Sequence, residues 1–87
     1  MGSIFRYEYD VFRRCMIAAR KDAKLTQQSI ATALQKPQSF VAKYENGERR
    51  LDVVEFLIIA QAIGVNPCNL LSEIERKILE KFNEQKP

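Results

Sequence analysis

The sequence predicts an all-α domain of five helices, and three observations predict it. Apolar residues recur at three- and four-residue spacing along most of the chain, the period of helices buried on one side. Helix punctuation separates these runs: Thr26, Asp52 and Asn66-Pro67 open them, and Asn46-Gly47 and Gly64 close them. The composition is that of a globular protein, 46% hydrophobic and 29% charged, with only three glycines and three prolines. Eighty-seven residues suffice for one domain with a thin margin of core.

Residues 1–8 show no clear period and read as an N-terminal arm, although Ile4, Phe5 and Tyr7 are too apolar for a solvated tail. A single domain over residues 9–83 follows. Its first helix is predicted over residues 10–22, with Asp10 as N-cap and Phe12, Cys15 or Met16, and Ala19 as the buried stripe. Leu25 plugs the core and Thr26 caps a second helix that ends near Leu34, with Ile30, Ala31 and Leu34 on its inner face. Gln35-Lys36 makes a turn. Pro37 suits the first turn of a third helix, because its missing N–H would be unpaired there anyway. That helix runs to about Glu45 with Val41 and Tyr44 inward, and Asn46-Gly47 stops it.

After a loop over residues 48–51, Asp52 and Glu55 have the spacing of a capping box for a fourth helix over residues 53–63. This helix is apolar almost all round and is read as the central strut of the core, buried on more than one side. Gly64 ends it, and Asn66-Pro67 starts an extended fifth helix. Leu70, Leu71, Ile74, Ile78 and Phe82, with Leu79 beside them, form a stripe longer than a compact core needs. Leu71, Ile74, Ile78 and Phe82 are therefore expected to form a homodimer interface.

Several function classes are excluded or disfavoured. With no histidine, a Cys/His zinc site is ruled out, and the widely separated Cys15 and Cys68 read as small buried hydrophobes. No glycine-rich phosphate loop or catalytic carboxylate cluster is present, so no enzyme, cofactor or small-molecule substrate is expected. The longest strongly apolar run, residues 56–60, is far too short to span a bilayer, and no signal peptide is apparent; a cytoplasmic location is expected.

The second and third helices carry the functional signal. They meet at a tight turn with the small Ala31 at the closest crossing, as in a helix-turn-helix. The outward positions of the third helix hold Gln38, Ser39 and Lys43, side chains able to hydrogen-bond base edges and phosphates. Residues 1–50 carry ten Lys/Arg against five Asp/Glu, whereas residues 51–87 carry four against six, so the proposed reading head lies in the basic half. Arg49 and Arg50, in the loop after the third helix, are assigned phosphate contacts that add affinity without sequence reading.

From Leu25 to Gly47 the sequence resembles the phage-repressor/Cro, or XRE, family of helix-turn-helix proteins. Leu-Thr-Gln-Gln-Ser-Ile-Ala resembles the opening of its second helix, Phe-Val-Ala-Lys-Tyr-Glu-Asn-Gly its reading helix and following turn, and Val65-Asn-Pro its link into helix five. The likeness spans roughly residues 11–72. It implies a five-helix repressor-like bundle. It also implies base reading by Gln38, Ser39 and Lys43, phosphate contacts from Gln27 and Asn46, and a structural salt bridge between Arg20 and Glu45. The sequence departs from the pattern at Gln35, where a left-handed glycine is usual, at Pro37, which replaces a Ser/Thr cap, and at Phe40. Phe40 either touches a thymine methyl or sugar on the DNA side, or packs on the second helix.

The function these readings imply is a sequence-specific transcriptional regulator, a repressor of prokaryotic or phage type. As a homodimer it would place two reading helices in successive major grooves of a pseudo-palindromic operator in double-stranded DNA. The alternative is an antitoxin or adaptor whose main role is binding a partner protein.

Overall fold

The computed structural model describes residues 6–84 and contains five helices: α1 (Arg6–Asp22), α2 (Gln27–Leu34), α3 (Gln38–Glu45), α4 (Val53–Ile63) and α5 (Pro67–Glu84). Each of the first four contributes one large, fully enclosed side chain to the centre: Met16, Ile30, Val41 and Ile59. Leu70 and Ile74 of α5 close the core against α1 and α4. Ala31 has no exposed surface, and its small side chain suits the close packing of α2 on α3.

The caps follow the sequence signals. Thr26 Oγ1 accepts the Ser29 N–H at 3.0 Å while Ser29 Oγ accepts the Thr26 N–H at 3.0 Å, a reciprocal box with serine in place of the usual acid. Asp52 and Glu55 exchange the same pair of bonds at 2.7 and 2.9 Å. Asn66 Oδ1 accepts from the Cys68 and Asn69 N–H groups at the start of α5. Pro37 lies one position before the first turn: it is the N-cap of α3, with extended backbone and no side-chain cap bond.

Helices α1 to α4 all end in one way. A left-handed residue follows the last turn, and the next N–H bonds back to a carbonyl five residues earlier. Those bonds are Leu25 to Arg20 at 3.2 Å, Lys36 to Ala31 at 3.0 Å, Glu48 to Lys43 at 2.9 Å and Val65 to Ala60 at 3.1 Å. Glycine holds the left-handed position at Gly47 and Gly64, but Lys24 (φ 60°) and Gln35 (φ 58°) hold the other two. A Cβ in this region crowds the following carbonyl, at a cost of about 1 kcal/mol. Gln35→Gly is therefore expected to raise stability by about 0.5–1 kcal/mol, seen as a higher urea midpoint at unchanged slope. An unchanged or lower midpoint would show that the turn carries no such strain.

Several expectations are corrected. Helix α1 begins at Arg6, so Asp10 lies inside it and residues 6–8 are helix rather than arm; residues 1–5 lie outside the described residues. Helix α4 is not enclosed on several sides: Phe56, Ile59, Ala60 and Ile63 are buried, but Val53 is 67% exposed, Val54 59%, Leu57 46% and Ile58 52%. α4 packs chiefly on α2 and α5, and that leaves its other side open. On α5 the apolar stripe divides. Ile74 is core at 5% exposure and Ile78 packs against the core, whereas Leu71 and Leu79 point outward. Ile74 is thus enclosed, whereas Ile78 is only partly buried and lines a shallow groove with Leu71 and Leu79; Phe82 lies outside the residues whose side chains are described. Cys15 is buried as expected, but Cys68 is exposed.

Candidate nucleic-acid interface

The reading helix is fastened through its last residue. Glu45 is 3% exposed, and its carboxylate accepts from Arg20 Nε at 2.7 Å and Arg20 Nη2 at 3.0 Å, a two-pronged pair from α1. The third Arg20 nitrogen, Nη1, donates to the Leu25 carbonyl at 2.8 Å, tying in the link to α2. Bonding to Glu45 holds the Arg20 guanidinium above even its usual high pKa. Arg13 Nη1 donates to the Glu45 carbonyl at 2.7 Å, so α1 grips both backbone and side chain at this point. One residue earlier, burial and then the Glu45 charge push the Tyr44 phenol well above its ordinary range, which keeps it neutral.

A chain of amides leads from Glu45 to the surface. Gln27 Nε2 donates to Glu45 Oε1 at 2.9 Å, and Gln27 Oε1 accepts from Gln38 Nε2 at 2.9 Å. The order is dictated by chemistry. An ionised carboxylate only accepts, so Gln27 must turn its NH2 toward Glu45 and its carbonyl toward Gln38, which must then donate. Gln38 is left with its carbonyl and a second N–H for an outside partner, the donor–acceptor pair that matches adenine N6/N7. Gln38, Ser39 and Lys43 are all exposed, while Val41, Tyr44 and Glu45 on the other side of α3 are buried.

The remaining sequence candidates divide. Asn46 is exposed, with only a long 3.4 Å contact to Glu48. Arg49 is occupied: it donates to both carboxylate oxygens of Glu55 at 3.1 and 2.6 Å and lies 4.9 Å from the Phe40 ring centre. Bonds from Arg49, and then from the Asp52 backbone, hold the Glu55 carboxyl below its usual range. The Arg50 guanidinium lies over the Tyr9 ring, 4.2 Å from its centre. Phe40 packs against the core, edge-on to Tyr44 and beneath Arg49, so its ring belongs to the fold's packing. Sequence reasoning missed Tyr9 and Arg13. Once α1 starts at Arg6, Arg6, Tyr9 and Arg13 share one helical face, a spacing that is hidden when residues 6–8 are read as an arm.

Two helices joined by a tight turn, the second fixed by a buried ion pair and exposing polar side chains, define the helix-turn-helix class. A helix-turn-helix family model matches residues 16–70. The chain is also similar to the solved structure of an XRE-family like protein from Pseudomonas syringae pv. tomato str. DC3000, at 43% identity and a TM-score of 0.80 over 85% of this chain and 90% of that one. No curated protein sequence matches. The chain belongs to the XRE family of helix-turn-helix proteins, and it is a DNA-binding regulator of that type. No single helix among the described residues is long and apolar enough to cross a membrane.

Proposed function

We propose that this regulator is a transcriptional repressor acting in the cytoplasm. As a homodimer it occupies a pseudo-palindromic operator in double-stranded DNA, each subunit placing α3 in the major groove. One observation carries this reading: Gln38, Ser39 and Lys43 share the exposed side of a helix whose opposite side is held by the Arg20–Glu45–Gln27 network. A rigid mount is what base reading needs, because each matched hydrogen-bond pair discriminates by about 1–3 kcal/mol only if its geometry holds. Gln38 and Lys43 read bases, Ser39 assists, and Gln27 braces Gln38 while remaining close enough to meet a phosphate. Asn46, Arg49 and Arg50 lie where the DNA backbone passes, with Arg49 the least available of the three.

The subunit contact is drawn from α4. Val53, Val54, Leu57 and Ile58 form the largest exposed aliphatic group among the described residues and begin three residues after Arg50. Pairing there would bring the two loops together near the operator centre. The same face also suits a protein partner of another kind, which is the observation favouring the antitoxin or adaptor alternative.

Selection of bound duplexes from a random pool tests the reading role directly. Wild type should yield a symmetric consensus, and Gln38→Ala or Lys43→Ala should lose preference at one position per half-site while remaining folded. Identical consensus sequences from all three proteins would reject those residues as base readers.

A further inference from the structure

We propose that the cleft between the first turns of α1 and the α3–α4 loop is a second phosphate-binding site, taking a backbone phosphodiester of the DNA engaged by α3. The inference rests on the DNA-binding reading and adds Arg6, Arg13 and Tyr9 to it. The cleft is lined by Arg6, Tyr9, Arg13, Asn46, Gly47 and Arg50, with Asp10 the one carboxylate among its lining residues. Three guanidinium groups against one carboxylate leave an excess of positive charge in a concave site, the electrostatic form that concentrates anions.

The three arginines are held differently. Arg13 is partly committed, with Nη1 on the Glu45 carbonyl and Nε 3.6 Å from Asp10 Oδ1; its Cδ passes over Gly47, where an added Cβ would sit 3.5 Å away. The guanidinium carbon of Arg50 lies over the Tyr9 ring, 4.2 Å from its centre. A cation–π contact of this kind holds the group in place without using its N–H donors, which stay available to a phosphate. Tyr9 also accepts the Leu51 N–H on its hydroxyl at 3.0 Å, so one side chain sets both the loop and the arginine against α1. Among the described residues, neither Arg6 nor Arg50 is paired with a carboxylate. Arg49, next in sequence to Arg50, has both prongs on Glu55.

The occupant follows from position. Asn46 and Gly47 end the reading helix and also form one wall of the cleft, so a duplex in contact with α3 runs past its mouth. Recognition would be by charge, without base preference. The arginine nearest the reading helix in sequence, Arg49, then contributes less than Arg6, which is remote in sequence.

The test uses the full chain and a duplex taken from the selection. Arg6→Gln and Arg50→Gln should each weaken binding several-fold, to matched and scrambled duplexes alike, and reduce the salt slope by about 0.9 for each phosphate no longer neutralised. Arg49→Gln should change the slope less than either. Duplexes with a single neutral methylphosphonate should contain a position that weakens wild type but leaves Arg6→Gln and Arg50→Gln unaffected. Thermal melting of each variant confirms that it is folded. If wild type binds and Arg6→Gln matches it in affinity and slope, the cleft is not a phosphate site. If wild type binds no duplex, the DNA reading itself fails, and the cleft assignment with it.

Discussion

Arg20→Ala is expected to lower the unfolding free energy by about 3–5 kcal/mol, because it leaves the Glu45 carboxylate buried and unpaired. That is a large share of the roughly 5–15 kcal/mol that holds a domain of this size together. The loss has a specific origin, which a second variant exposes. Replacing Arg20 and Glu45 together by methionine removes both charges and keeps apolar volume, so the double variant should recover much of the stability lost by Arg20→Ala. Urea unfolding of the three proteins measures this. DNA binding should part company with stability in the double variant. With Glu45 gone, Gln27 loses the acceptor that fixes its amide, and the orientation of Gln38 is no longer imposed. Equal base discrimination by wild type and the stable double variant would show that the amide chain does not position Gln38.

If the proposed dimer pairs through α4, Leu57→Glu is expected to convert it to monomers and to weaken operator binding by about 10²–10⁴-fold, the advantage of two linked contacts over one. Leu57 is 46% exposed, so the substitution falls on the open side of α4 and should change the monomer's own stability by less than about 0.5 kcal/mol. Sedimentation at micromolar concentration reports the first effect, and titration against full and half operators the second. Leu79→Glu, on the outward side of α5, is the control and should leave the dimer intact. If instead Leu79→Glu dissociates it and Leu57→Glu does not, the interface lies on helix five.

Most helix limits are legible in the sequence because their signals are local. Thr26, Asp52 and Asn66 each bond to N–H groups two or three residues on, so the cap and its effect lie within one turn. The Arg20–Glu45 pair spans 25 residues and is legible only through family resemblance. Properties that depend on what surrounds an element are not legible. The composition of α4 shows that it is apolar, but not that its neighbours cover only one side of it. Glu55 reads as a capping residue, and nothing local indicates that the same carboxylate also holds Arg49. The start of α1 is hidden because residues 6–9 carry no cap residue and combine aromatic with charged side chains. With it goes the alignment of Arg6 with Arg13.

The left-handed turns at Lys24 and Gln35 bear on how such a protein can change its target. New reading-helix residues tend to destabilise, and a small domain has little tolerance for that. Two turns of this chain still carry side chains where glycine would relax the backbone, so each is a latent compensating site. Lys24 lies outside the α2–α3 reading unit altogether. A redesigned or naturally drifting reading helix could therefore be offset by a change elsewhere that alters no base contact, letting specificity evolve without loss of the fold.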